Sequence, residues 1–173
     1  MGQLDPVAHR EVSTSSTVVD HSALKVNQTG IVATVLVAFV GSAIGVPYTL
    51  FLIPLLAIAL LLGTFAPQLA PFKQLYFTVL KPRGIVKPRA VQDRPEPHNF
   101  AQGLGGLFLA VASLFLLLPL LTGDFRPGPA IVIGLALSLL VAVLAFVNLA
   151  FGYCLGCQIF YQLERRGVLR ARA

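Results

Sequence analysis

The chain has 173 residues, 56% of them apolar and 12% charged, against about 45–50% and about 25% in an ordinary soluble domain. With a mean hydropathy of +0.81, this excludes a disordered chain, and it excludes a soluble globule of this size, which has too much surface to hide such a composition. The 13 Lys and Arg exceed the 7 Asp and Glu by a formal charge of +6, but in so apolar a chain this excess does not read as a nucleic-acid surface, and no nucleic-acid partner is expected.

Residues 1–28 read as a polar N-terminal tail. They hold no apolar core of signal-peptide length, and residues 13–17 are all Ser or Thr, so the first span itself is expected to direct insertion. No Asp, Glu, Lys or Arg then occurs over residues 26–72, 97–123 or 127–163. A membrane-spanning helix needs about 20 apolar residues, so the first stretch holds two spans and the others one each. They are expected at about 30–46, 47–65, 101–121 and 130–152, with a Gly- and Pro-containing reversal at 41–47 and a turn at 122–129. Pro54 is expected to kink the second span. The runs are continuously apolar rather than alternating, which indicates helices and not barrel strands. The expected fold is an all-α integral membrane protein with four transmembrane helices in two helical hairpins, residues 29–66 and 100–157.

Residues 67–99 form the connection. Phe72, Leu75, Tyr76, Val79 and Leu80 recur at helical spacing and predict a short amphipathic helix in the membrane interface. Lys81-Pro82-Arg83-Gly84 and Lys87-Pro88-Arg89-Ala90 repeat one pattern six residues apart, and Pro82, Pro88, Pro95 and Pro97 argue against regular helix. Lys81, Arg83, Lys87 and Arg89 are expected to contact anionic lipid headgroups, at about 1 kcal/mol each. Twelve of the 13 Lys and Arg lie before the first span, in this connection or in the basic tail of residues 158–173; the hairpin turns carry Arg126 alone. Both termini and the connection are therefore expected on the cytoplasmic side of the membrane.

Val26-x-Gln28 and Phe100-x-Gln102 open the two halves at an offset of 74 residues, and Val37-Ala38 matches Val111-Ala112 at that offset. This hints at parallel repeats and speaks against an inverted-repeat transporter. Without a carboxylate or Lys inside a span, ion coupling has little to work with, and the spans offer little to line a permease's polar cavity. Gly103, Gly105 and Gly106 read as helix packing.

The chemistry concentrates at the end of the fourth span. Read as one continuous helix, this region places Gly134, Ser138, Ala145, Gly152 and Gly156 on a small-residue packing stripe with Asn148 beside it. Asn148, Gly152 and Gly156 are thus the expected helix-packing residues. Cys154 and Cys157, the two cysteines of the chain, then point away from it among Phe146, Tyr153, Phe160 and Tyr161. Their spacing is that of a dithiol redox centre. It also fits buried apolar packing, or half of a metal site completed by His98 or a second protomer. At the C-terminal end of a helix the dipole opposes thiolate, so Cys154 is expected to react slowly unless a cation approaches. In a reducing cytoplasm the pair is expected to rest as a dithiol, and that side speaks against quinone-linked thiol oxidation. His98 reads as an interfacial polar residue.

Asn148-x-x-Phe151-Gly152-Tyr153-Cys154-Leu155-Gly156-Cys157-x-x-x-Tyr161 resembles the closing motif of a bacterial membrane family known as domain of unknown function 4395. Asp93-Arg94-Pro95 with Phe100-Ala101-Gln102, and Asp20-His21 with Asn27-Gln28, resemble its lead-ins to the two hairpins. Where the pattern carries an acidic residue after the second cysteine, this chain has Gln158. The resemblance implies an integral membrane protein, sometimes associated with thioredoxin-like or sulfurtransferase partners.

The expected function is thiol-disulfide or sulfur transfer through Cys154 and Cys157 with such a soluble partner, with no cofactor and no metal. The alternative is a non-enzymatic accessory subunit of a larger membrane complex, its cysteines structural.

Overall fold

The structure is a computed structural model and describes residues 17–126 and 128–168. The expected polar stretch up to Ser16, with Arg10, and the end of the basic tail, with Arg170 and Arg172, lie outside the described residues, as does Pro127. The elements run β1 (Thr17–Asp20), α1 (His21–Ala43), a 3-10 turn (Pro47–Phe51), α2 (Leu52–Phe65), a second 3-10 turn (Pro67–Leu69), α3 (Pro71–Leu75), a π-helical turn (Tyr76–Leu80), β2 (Ala90–Asp93), α4 (Pro95–Thr122), α5 (Pro129–Phe151) and α6 (Leu155–Arg165).

Four helices are long and apolar enough to cross a membrane: His21–Ala43, Pro47–Phe65, Pro95–Thr122 and Pro129–Phe151. The protein is the all-helical, four-span membrane protein that the charge-free runs predict. α1 packs on α2 and α5, α4 packs on α2 and α5, and α6 lies against α4. Their shared core includes Val35, Ala38, Ile53, Leu56, Leu60, Leu109, Ala112 and Leu116, each nearly or fully inaccessible. Leu55, Leu114, Leu118 and Val132 point outward. An apolar exterior over an apolar core suits a bundle whose solvent is lipid, where helices are the spans that satisfy every backbone group internally.

Several boundaries differ from expectation. α1 begins nine residues early because Asp20 caps it: the Ser22 N–H donates to Asp20 Oδ1 at 3.0 Å. α4 begins at Pro95 rather than near Ala101, since Pro95 and Pro97 occupy its first turn, where the helix needs no N–H from them. Pro54 stands in the first turn of α2, within the second span and just after its 3-10 turn, where the helix needs no N–H from it; Pro119 lies inside α4. Residues 71–80 are helical, split into α3 and the π turn, and Tyr76 is fully buried.

β1 and β2 form a two-stranded antiparallel ribbon, Thr17 facing Asp93 and Asp20 facing Ala90. The His21 N–H donates to Arg89 O at 2.9 Å, and Ser22 Oγ donates to Lys87 O at 2.8 Å. The ribbon thereby fastens the start of α1 to the basic connection and to the start of α4.

Candidate thiol site

The two cysteines do not continue the fourth span. α5 stops at Phe151, and Gly152 takes a left-handed conformation (φ +70°) while its N–H donates to Asn148 O at 2.9 Å. This is the helix ending that glycine favours, because a side chain would crowd the backbone there. Cys154 is extended (φ −96°, ψ 101°) and is the N-cap of α6; its Sγ accepts the Cys157 N–H at 3.2 Å. The expected continuous stripe is therefore corrected. Gly152 ends a helix, and a Cβ there would meet nothing within 4 Å, whereas a Cβ on Gly156 would lie 2.6 Å from Ala101 Cβ. Gly156 is where α6 and α4 make their close approach.

The break also reverses the dipole argument. Cys154 sits at a helix N-terminus, where the field of the following helix favours thiolate, not at the C-terminus of a span. The two sulfurs stand at disulfide distance. Cys157 is buried and Cys154 is half-buried, so Cys154 is the sulfur open to attack. Cys157 and Phe160 face inward, not outward among aromatics, and the Phe160 ring packs on Phe100 at 5.6 Å.

A histidine and a carboxylate stand behind the pair. His98 Nδ1 lies 3.7 Å from Cys157 Sγ, and His98 Nε2 lies 3.1 Å from Asp93 Oδ2. Burial raises the Asp93 pKa, but hydrogen bonds from His98 and the Arg94 N–H, with the His98 charge, outweigh it and hold the carboxyl below its ordinary value. An ionised carboxylate only accepts, so it fixes the His98 proton on Nε2 and leaves the Nδ1 lone pair facing Cys157. His21 Nε2 lies 3.3 Å from the same Asp93 oxygen, a contact that also helps hold the carboxyl low, but without good hydrogen-bond geometry; it is a buried nitrogen with no hydrogen-bond partner among the described residues.

A cleft of about 130 Å³ opens beside Cys154, between α1, α4, α5 and α6. Its walls are mostly apolar, but Asn27, Gln28, Gln102 and Asn148 reach it, with His98 and Cys154 at one end. Asn27 is buried, and Gln102 Nε2 donates to Leu60 O at 3.1 Å. The walls stay mostly apolar, and each span contributing an amide has it near the same end of the bundle. Asn148, predicted to pack helices, lines this cleft.

The far end of α6 is fixed by Arg94, whose guanidinium donates to both Glu164 oxygens, at 3.2 and 3.0 Å. Asp20 closes the other flank. Burial raises its pKa, but the Tyr76 hydroxyl, the Arg89 and Ser22 N–H groups and the Lys81 charge outweigh this and hold the carboxyl low. Lys81, Arg83, Lys87 and Arg89 are all exposed at this same end, Lys81 with its Nζ 5.3 Å from the Phe77 ring centroid. The sulfurs and the basic connection thus share one end of the molecule.

Sequence reasoning missed Asp93, His21 and Arg94 as site residues and underrated His98. The available signal was a carboxylate five residues before a histidine in a segment flanking a span; nothing local pointed that pair at a cysteine 59 residues away.

A bundle of four apolar spans with a Cys-x-x-Cys pair at disulfide distance at one end defines a helical membrane protein. The family described as domain of unknown function DUF4395 matches residues 19–165, and the chain belongs to that family. Comparison with curated proteins and with solved structures gives no match.

Proposed function

We propose that this protein exchanges thiols and disulfides, or relays sulfur, between Cys154–Cys157 and a soluble thioredoxin-like or sulfurtransferase partner on the cytoplasmic side of a bacterial inner membrane. The observation that carries the reading is the division of labour between the sulfurs: Cys154 accessible at a helix N-terminus, Cys157 buried against His98. In the reduced pair, the Cys154 thiolate attacks a partner disulfide, forming a mixed disulfide and expelling one partner thiolate. Cys157 passes its proton to His98 Nδ1, and the resulting thiolate attacks Cys154 Sγ. The Cys154–Cys157 bond forms, the mixed disulfide breaks, and the second partner thiolate leaves and takes up a proton. Two electrons pass to the partner. With a persulfide partner, the Cys154 thiolate attacks the outer sulfur instead, the partner's S–S bond breaks, Cys154 becomes the persulfide and the partner leaves as its thiolate.

The basic segment beside the site supports the cytoplasmic placement, since Lys and Arg flanks favour that side. The alternative, a non-enzymatic accessory subunit of a larger membrane complex with structural cysteines, would have to dock through another face, since Gly156 packs within the chain against Ala101.

The test is a trapping experiment in cells with Cys157→Ser, which should accumulate a mixed disulfide on Cys154 that disappears in Cys154→Ser. Failure to capture any partner under oxidising and sulfide-loaded conditions overturns the proposal in favour of the accessory reading. Modification of the sulfurs by an impermeant thiol reagent outside intact cells overturns the placement.

A further inference from the structure

We propose that His21, Asp93 and His98 form a binding site for a first-row divalent cation, with zinc the ion that fits their chemistry. The three residues come from the start of α1, from β2 and from the first turns of α4, and the ribbon brings them together. Their ligand atoms all lie within 4.8 Å of one another, with His98 Nε2 at 3.1 Å and His21 Nε2 at 3.3 Å from one Asp93 oxygen. Zinc ligands about 2.0–2.1 Å from the metal at tetrahedral angles stand about 3.3 Å apart. The two spacings to Asp93 are therefore those of a coordination edge.

The second observation is the orphaned nitrogen. His21 Nε2 is buried, has no hydrogen-bond partner among the described residues, and faces the carboxylate. Its 3.3 Å contact with Asp93 lacks hydrogen-bond geometry, and a cation between the three groups would give that nitrogen a matched partner. Two imidazoles and one carboxylate make a nitrogen- and oxygen-rich set of the kind that holds zinc or iron(II). All three side chains are partly exposed (34%, 31% and 20%), which leaves a position open to water.

His98 also stands within range of Cys154 and Cys157. Those sulfurs are spent on each other at disulfide distance, whereas Asp93 and His21 offer free lone pairs. A cation on His98 Nε2 would force its proton onto Nδ1, which faces Cys157. His98 then donates to a Cys157 thiolate instead of taking a proton from the thiol. Metal occupancy thereby sets the role of His98 in the thiol site, while the binding itself does not depend on that chemistry.

The full chain, purified in detergent and stripped with chelator, should take up one zinc per chain in competition with a chromophoric chelator. His21→Ala and Asp93→Asn should each weaken it by about 100-fold or more, beyond the loss expected of an outer-shell change. Circular dichroism confirms that each variant is folded, and His21→Gln replaces any that is not. Cobalt(II) should give visible d–d bands without a thiolate charge-transfer band, and Cys154→Ser should keep the site. No stoichiometric uptake, uptake unchanged in folded His21 variants, or a thiolate charge-transfer band each overturns the proposal, and none of these results bears on whether the cysteines exchange with a partner.

Discussion

Arg94 holds Glu164 by both guanidinium ends across 70 residues of sequence, at 3.2 and 3.0 Å. Both side chains are about three-quarters shielded, and the Glu164 contacts are the first cause of a raised Arg94 pKa, working against its desolvation. A paired guanidinium and carboxylate in fixed register make a stronger link than a surface ion pair. Since α6 carries the cysteines at its other end, this link helps set where Cys157 lies relative to His98.

Replacing Arg94 with Ala is expected to lower stability by about 2 kcal/mol, the scale of a lost charged hydrogen-bond pair with its carboxylate left behind. Thermal unfolding in detergent measures it. Arg94→Lys should recover part of the loss, because an ammonium cannot span both oxygens.

Gly156→Leu is expected to push α6 off α4, costing about 1–3 kcal/mol as overpacking, since even a Cβ would stand 2.8 Å from the Ala101 Cα. Gly152→Ala acts differently: it meets no neighbour but must hold φ near +70°, at roughly 1 kcal/mol. Disulfide crosslinking between cysteines placed on α4 and α6 should fall in the first variant and persist in the second.

In the reduced protein, Cys154 is expected to be alkylated well before Cys157 at neutral pH, as read by peptide mass spectrometry after brief iodoacetamide treatment. The N-cap position favours the Cys154 thiolate, and Cys157 is only 7% exposed. Equal rates would mean that α6 does not retain its capped start.

Asp20→Ala is expected to be among the more damaging changes outside the core. It removes the α1 cap, about 1 kcal/mol, and strands the buried Tyr76 hydroxyl, which donates to Asp20 Oδ2 at 2.8 Å, at about 1–3 kcal/mol. Asp20→Asn should keep most of the cap. Thermal unfolding of the two variants side by side separates these contributions.

The spans were legible because charge is excluded from hydrocarbon, so the charge-free runs mark them without reference to any contact. The second half of the cysteine motif was not legible in the same way. Gly152, Tyr153 and Cys154 fit an apolar helical run by composition, and a glycine inside such a run reads as packing; only the backbone shows that Gly152 stops one helix and Cys154 starts the next. That single break decided the sign of the dipole argument. The prolines misled for the converse reason: Pro95 and Pro97 interrupt a helix at its middle but suit its first turn. The Asp93–His98–Cys157 arrangement depends on how the ribbon and α6 fold back on α4, which no local pattern encodes.

The length of α4 has a bearing on how any protein reaches the sulfurs. Its 28 residues extend about 42 Å at about 1.5 Å each, while a hydrocarbon layer of about 30 Å tilted through by about 20° takes up only about 32 Å. With the polar first turns taking up the surplus, His98 and its neighbours would ride at the height of the lipid phosphates. A partner of the kind proposed above would find them by gliding over a charged plane, a search in two dimensions rather than three.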